Sequence, residues 1–468
     1  MIPKLNILIS SKSVMEKKSY FSNLESMQEV VAHALDYAKK LGATDAAAEI
    51  SEDRGINVNV RNREAEVIEH THDRSFGITV YCGKRVGNAS SGDLKKEAVE
   101  QTVRAAFDIA RFTSEDSCAG LPEEQDLCRE PRELDLFHPW EISVEDAIAL
   151  CGAAEDAALS ADSRIVNSEG ANFTANNGSF ILANTAGFTG GYPYSSYSLY
   201  TSVIARDEAG MQRDGWYSMD VSREGLMDPA ALGRLAGERA ARRLSPQELS
   251  SRRCPVVFEA PMAKSLLRSF ARAASGSALY RKSSFLLNSL GREVFAPEFS
   301  VYEDPFEPKS YGSSPFDDEG VQGSQRFVVE GGILKGHFLN SYTARKLGEK
   351  NTGNAGGPYN LYLKAAPHRT YATLAALLRE MGTGLLVTEL SGQGVNLTNG
   401  DYSRGASGFW VENGVIAYPV DGITIAGNLR SMLRGLTAAA SDVDRNGSVR
   451  TGSVLIDEMT VAGSGSAQ

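Results

Sequence analysis

Apolar residues at Met27, Val30, Val31, Ala34, Leu35 and Ala38 recur at steps of three and four, the stripe of a helix with one buried face. Ser26 and Glu29 read as a capping box at its start, and Gly42 as its stop. The rhythm then changes to alternation. Ala46–Ser51, Ile56–Asn62, Ala65–Thr71 and Phe76–Tyr81 predict four short strands in a meander, turning at 53–55 and 72–74. A second helix is expected from Leu94 to Phe112, with Val99, Val103, Ala106 and Ile109 facing inward. These elements predict an N-terminal helix–meander–helix unit over residues 23–115.

Residues 113–140 mix acidic residues, two cysteines and three prolines, and read as a linker. Ser143 and Asp146 start an alanine-rich helix to Leu159, and strands dominate from Arg164 to Ser218. Their many tyrosines are read as packing between sheets, in a strand-rich middle unit over 116–228. A helix from Pro229 to Leu244 leads into a C-terminal unit over 229–463. There a strand at Pro255–Phe258, a helix begun by Ala260-Pro261, and strands at Arg326–Val329 and Ile333–Leu339 are expected. Thr352–Pro358 (TGNAGGP) must be a shaped loop. Strands Leu385–Leu390 and Gly408–Glu412 bracket a glycine-rich loop, Asn413-Gly414 makes a hairpin into Val415–Val420, and Asp421-Gly422 turns again before Ile423–Ile425. Gly427-Asn428 opens a short helix to Leu433. The fold class is α+β, with antiparallel sheets and helices in the C-terminal unit. Residues 1–22 and 464–468 read as disordered ends.

Composition narrows the class. A chain of 468 residues is too long for one ordinary core. A net charge of −11 argues against a nucleic-acid surface, and no run reaches the length of a membrane span. Five cysteines form no C-x-x-C pair and residues 2–9 hold a lysine and too few apolar residues for a signal peptide core, so a reducing, cytoplasmic setting is expected.

Several long strings then become informative together: VTELSGQGVN (387–396), GDYSRGASGFWVENG (400–414) and ITIAGNL (423–429). Upstream stand FGITVY (76–81), AAFDIARFTSEDSCAG (105–120), GGYPYSSYS (190–198), GMQRDGWYS (210–218) and ARKLGEKNTGNAGG (344–357). With these strings the chain resembles the TldD/PmbA metalloprotease family, in its PmbA (TldE) branch, over roughly residues 24–463. The resemblance implies a hetero-oligomer with a TldD-like subunit that carries zinc. It also implies action on small or unfolded peptides, including maturation of microcin-type precursors and degradation of an antitoxin.

The TldD branch places His-Glu-x-x-x-His on a helix, two imidazoles for zinc and a glutamate as general base. Its motif sits in a string ending like Arg281-Lys282-Ser283-Ser284 here. Counting back, Arg268 and Ala273 stand where the histidines would, and Ser269 where the glutamate would. No cysteine follows Cys254 to act as the family's further ligand. The resemblance therefore implies no zinc in this chain, no catalytic residue of its own, and zinc in the TldD-like partner.

Other chemistry is thin. His70 and His72 share a strand face, but no third ligand is evident. Asp442, Asp444, Asn446 and Gly447 copy half a calcium loop, whose twelfth position is Ser453, so a hairpin turn is the better reading. Asp317-Asp318-Glu319 forms the strongest acidic cluster, either an acid/base group or a scaffold and peptide contact. Asn354, Asn396, Tyr402, Arg404 and Trp410 lie on or beside glycine-rich loops and are candidates for peptide contact. Arg404 would take a carboxylate and Trp410 an apolar side chain, unless Trp410 is core. Two further readings stay open: a peptide-binding adaptor that forms a homodimer, and a standalone hydrolase using Asp317, Asp318 or Glu319.

Overall fold

The computed structural model describes residues 14–463. Helix α1 (Val14–Leu41) runs straight through Ser26, because its apolar stripe continues one turn earlier to the buried Leu24. The extension expected over 1–22 is thus helical from Val14 on. Residues 1–13 and the expected tail at 464–468 lie outside the described residues.

The expected meander of four strands is a hairpin of two long ones, β1 (Asp45–Arg61) and β2 (Glu64–Cys82), followed by β3 (Arg85–Ser91). Residues 53–55 and 72–74 stay extended because they are paired: Arg54 lies opposite His72 on one side and Asn177 on the other. The reversal falls at Asn62-Arg63, where φ is +52° and +65°, as a tight hairpin turn requires. Helix α2 (Lys96–Phe112) turns Val99, Val103, Ala106 and Ala110 inward, and Ile109 stays outside. Helix α3 (Val144–Leu159) is capped by Ser143, whose hydroxyl accepts the Asp146 amide.

Strands β4 (Ile165–Asn184), β5 (Thr189–Arg206) and β6 (Met211–Asp220) complete one antiparallel sheet in the order β3-β2-β1-β4-β5-β6. The N-terminal and middle units therefore share a sheet across the irregular 113–140 segment. Helix α4 (Pro229–Arg242), grouped by sequence with the C-terminal unit, packs on α3 instead. A Cβ on Gly233 would stand 2.0 Å from the Ala154 carbonyl oxygen. All four helices cover one face: Ala46, Ala48 and Ile50 of β1 pack with α1 and α2, Ile56, Val58 and Val60 with α3. The other face is mixed: Phe180, Leu182 and Tyr192 form an apolar patch on it beside polar positions such as Glu49 and Ser51.

The C-terminal unit begins with β7 (Arg252–Phe258), α5 (Ala260–Ala273) and α6 (Gly276–Tyr280). It continues through β8 (Phe299–Asp304), β9 (Arg326–Glu330), β10 (Ile333–Leu334), α7 (Ser341–Leu347), β11 (Asn360–Ala365), β12 (Thr370–Tyr371) and α8 (Leu374–Met381). Last come β13 (Gly384–Ser391), β14 (Asp401–Glu412), β15 (Val415–Asn428), α9 (Leu429–Arg434), β16 (Leu436–Ala440), β17 (Val449–Arg450) and β18 (Val454–Ala462). One sheet runs β10-β9-β8-β11-β17, the other β12-β16-β18-β15-β14-β13-β7, and a further β18–β7 pairing closes five strands into a ring. Asn413-Gly414 makes its hairpin, with φ of +49° and +77°. Asp421-Gly422, expected as a turn, is an irregularity inside β15, which pairs with β14 on both sides of it.

A buried ion network joins the two halves. Arg239 of α4 binds Glu259 with two hydrogen bonds of 2.9 and 3.0 Å, reaches Asp214 of β6 at 3.3 Å and lies over the Trp216 ring. Arg243 adds contacts to Asp214 and to Glu389 of β13.

Candidate functional site

The acidic segment is delivered to the face of the six-stranded sheet that the four helices leave uncovered. Phe316 packs edge-on against Phe188 and Tyr192, with ring centres 4.9 and 5.6 Å apart, and Val321 bridges to Leu127 of the irregular segment. Between these anchors the three carboxylates have different fates. Asp317 is 3% exposed and accepts the amides of Glu319, Val321 and Ala355 at 2.9, 2.8 and 3.0 Å. It ties its own turn to the Thr352–Pro358 loop and is a scaffold. Glu319 accepts the amide of Ser341, the first residue of α7. The Asp318 carboxylate has no hydrogen-bond or ion-pair partner among the described residues, and the residue lines a cavity of about 410 Å³. Glu49, Tyr81 and Asn88 from the sheet, Leu121, and Glu319 line the same space.

Burial pushes the Asp317 carboxyl up to about 7, with the Glu319 charge adding and the three amides opposing. Its folded value lies above that of an unfolded aspartate, near ~3.9. The stability it contributes is full below that value and is lost as pH rises from about 4 to 7. An Asp317→Asn variant, neutral throughout, loses one acceptor and is less stable at low pH. Its deficit against the parent is expected to shrink across that window in urea midpoints measured at several pH values.

The remaining sequence candidates scatter. Asn354 is 5% exposed; it donates to Glu303 at 2.7 Å and accepts from Arg326 at 3.0 Å. It is part of a buried polar network and offers no peptide contact. Asn354→Ala leaves Glu303 and Arg326 short of partners and is expected to cost about 2–3 kcal/mol in unfolding free energy by urea denaturation. Tyr402, expected beside the loop surface, and Trp410, left open between peptide contact and core, are 2% and 5% exposed. Both point from β14 into the main core, so neither can touch a peptide. The Trp410 indole donates to Glu412, and Arg252 lies over its ring. Arg404 is half-buried on the same strand, and its Nε reaches the Ser391 carbonyl oxygen at 3.4 Å. Asn396 alone stays on an exposed loop, where its side chain accepts the Thr398 amide. None of these five lines the Asp318 cavity.

Helix α5 carries the three positions aligned with the metal motif. Arg268 is exposed, Ser269 bonds back to the Ser265 carbonyl oxygen at 2.8 Å, and Ala273 is buried. They supply no imidazole, thiolate or carboxylate, so these residues do not fit zinc. No cluster of three or more His, Cys, Asp or Glu is arranged for a metal among the described residues. One turn earlier on α5, the fully buried Lys264 places its Nζ 2.7 Å from Asp444, which Tyr217 also approaches. The half calcium loop thus holds a lysine ammonium. His72 lies 2.6 Å from the buried Glu52 and His70 is exposed on the same strand. Sequence reasoning missed Glu49 and Lys264. Glu49 occupies an outward position of an alternating strand, and only the sheet order shows what that face meets.

Family models described as PmbA/TldA metallopeptidase domain 1, central domain and C-terminal domain match residues 46–110, 137–244 and 251–463. The chain belongs to the PmbA/TldD metallopeptidase family. It is 43% identical to "Metalloprotease PmbA homolog" of Haemophilus influenzae over 94% of this chain and 96% of that protein. Identity to "Metalloprotease PmbA" of Escherichia coli O157:H7 is also 43%, over 94% of this chain and 98% of that one. Among solved structures, TldE from Thermococcus kodakarensis matches with a TM-score of 0.81 at 20% identity, covering 93% of this chain and all of that chain, and so shares the fold. More distant PmbA/TldD relatives include a TldD homologue from H. influenzae, 23% identical over 84% of this chain and 87% of that protein.

Proposed function

We propose that this chain is the zinc-free, PmbA/TldE-like subunit of a two-chain metalloprotease whose TldD-like partner supplies the zinc. The observation that carries the reading is the donor set on α5, where Arg268, Ser269 and Ala273 replace every residue a zinc-bound water would need. Family membership supports the hydrolytic setting. In this reading the chain binds substrate, helps enclose it and stabilises its partner. Small or unfolded peptides are the substrate class, with microcin-type precursors and antitoxins as the cases the family suggests. The proposed compartment is the cytoplasm, in keeping with five free thiols.

The test is hydrolysis of an unfolded peptide by the chain alone and after mixing with a TldD-like protein, each with and without a chelator. Activity is expected only in the mixture, to vanish with chelator and to return with added zinc. Hydrolysis by the chain alone overturns the reading. Binding without hydrolysis in the mixture would favour a peptide-binding adaptor. The commitment of Asp317 to three backbone amides counts against an acid/base pair built on that residue.

A further inference from the structure

The cavity beside Asp318 has walls of two kinds. Ala47, Leu121, Pro122 and Leu182 give it apolar surface, and Glu49 and Asp318 face it from different elements, the sheet and the 317–321 turn. No lysine, arginine or histidine lines it. Glu319 is already engaged by the α7 amide, whereas the carboxylates of Glu49 and Asp318 have no hydrogen-bond or ion-pair partner among the described residues.

Backbone close to both carboxylates is glycine. A Cβ on Gly77 would come within 3.0 Å of the Glu49 Oε1, and one on Gly356, where φ is +91°, within 2.4 Å of the Asp318 Oδ2. Any larger residue would displace the oxygens from the cavity. Both residues keep solvent contact; partial burial raises the Glu49 carboxyl and the Asp318 charge raises it further, and partial burial and Glu319 do the same to Asp318. The two like charges repel across the cavity, and a cation between them would offset the repulsion. Apolar walls with an anionic end match a side chain with an aliphatic stem and a cationic head.

We propose that this cavity is a side-chain subsite for a lysine or arginine of the bound peptide, held between Glu49 and Asp318. The assignment rests on the reading of the chain as a peptide-handling subunit, and names the substrate residue that it prefers.

Binding to the full chain, with neither partner nor zinc present, tests it separately from hydrolysis. The probes are two fluorescein-labelled unfolded peptides, identical except that one has a single lysine where the other has norleucine, compared by fluorescence anisotropy. The lysine peptide is expected to bind about tenfold more tightly, as one charge-assisted contact would give. Glu49→Gln with Asp318→Asn should abolish that preference, so that the two peptides bind alike. A control variant, Glu64→Gln with Glu66→Gln, removes two exposed charges on the sheet and should keep the preference. Circular dichroism melts check that each variant is folded, and Glu49→Gln alone serves if the double variant is not. Equal affinity for the two peptides, or a lysine preference that survives Glu49→Gln and Asp318→Asn, overturns the subsite. Hydrolysis by the two-chain mixture with no lysine preference would overturn this proposal alone. A lysine preference with no hydrolysis in the mixture would uphold it while sinking the protease reading.

Discussion

Lys264→Met is expected to lower the unfolding free energy by about 3–5 kcal/mol, because it strips a buried carboxylate of its counter-charge. Lys264 is fully buried and Asp444 nearly so. Burial pulls the ammonium's pKa down, and the contact with Asp444 pushes it back up. Methionine has a similar volume, so packing changes little and the loss is electrostatic. Asp444 would keep Tyr217 and the Asn446 amides as donors, which softens the effect without removing it. Urea denaturation followed by circular dichroism measures it. The double variant Lys264→Met with Asp444→Leu should recover part of the stability, since the orphaned charge is gone. If the single variant were as stable as the parent, the pair would not be the strut that fixes the 442–447 loop to α5.

Gly408→Val is expected to have an effect of similar size, through shape instead of charge. Gly408 sits in β14 where the register against β13 shifts, and an added Cβ would stand 1.9 Å from the Leu386 carbonyl oxygen. That neighbour is sheet backbone and cannot swing away as a side chain would. The strands must separate in the middle of the ring, so a loss of about 3 kcal/mol or more is anticipated, beyond the range of ordinary overpacking. Soluble yield and the midpoint of thermal unfolding read it. A Gly422→Ala control, at a site with no atom within 4 Å of the added Cβ, should show only the cost of its positive φ, about 1 kcal/mol.

Local signals were legible in the sequence and long-range ones were not. Ser143, Asn428 and Asn413-Gly414 mark their helix starts and hairpin correctly, because the chemistry that decides them lies within a few residues. Ser26 failed as a start because an apolar position one turn earlier extended the buried stripe. Asp53-Arg54-Gly55 has turn composition yet remains strand, since β2 and β4 pair with it from both sides. The same limit governed the site. Asp317–Glu319 was visible as a cluster, but which carboxylate caps amides and which stays free depends on loops 20 to 40 residues away in sequence. Tyr402 looked like surface beside a loop, and Trp410 stood open between surface and core, until β14 proved to begin at Asp401 and turn both inward. The lack of zinc donors on α5 needed no structure at all.

The guanidinium network between α4, β6 and the start of α5 has a consequence for how the chain can be cut. Ser245, Gln247 and Glu248 form an exposed connector between the two halves, the natural place for a protease to nick. Arg239 and Glu259 lie on opposite sides of that connector, both buried and doubly bonded to each other. Separating the fragments would bring bare charges out of the interior of each. A nicked molecule should therefore migrate as one particle until denatured, and new termini placed in this connector should leave the architecture standing.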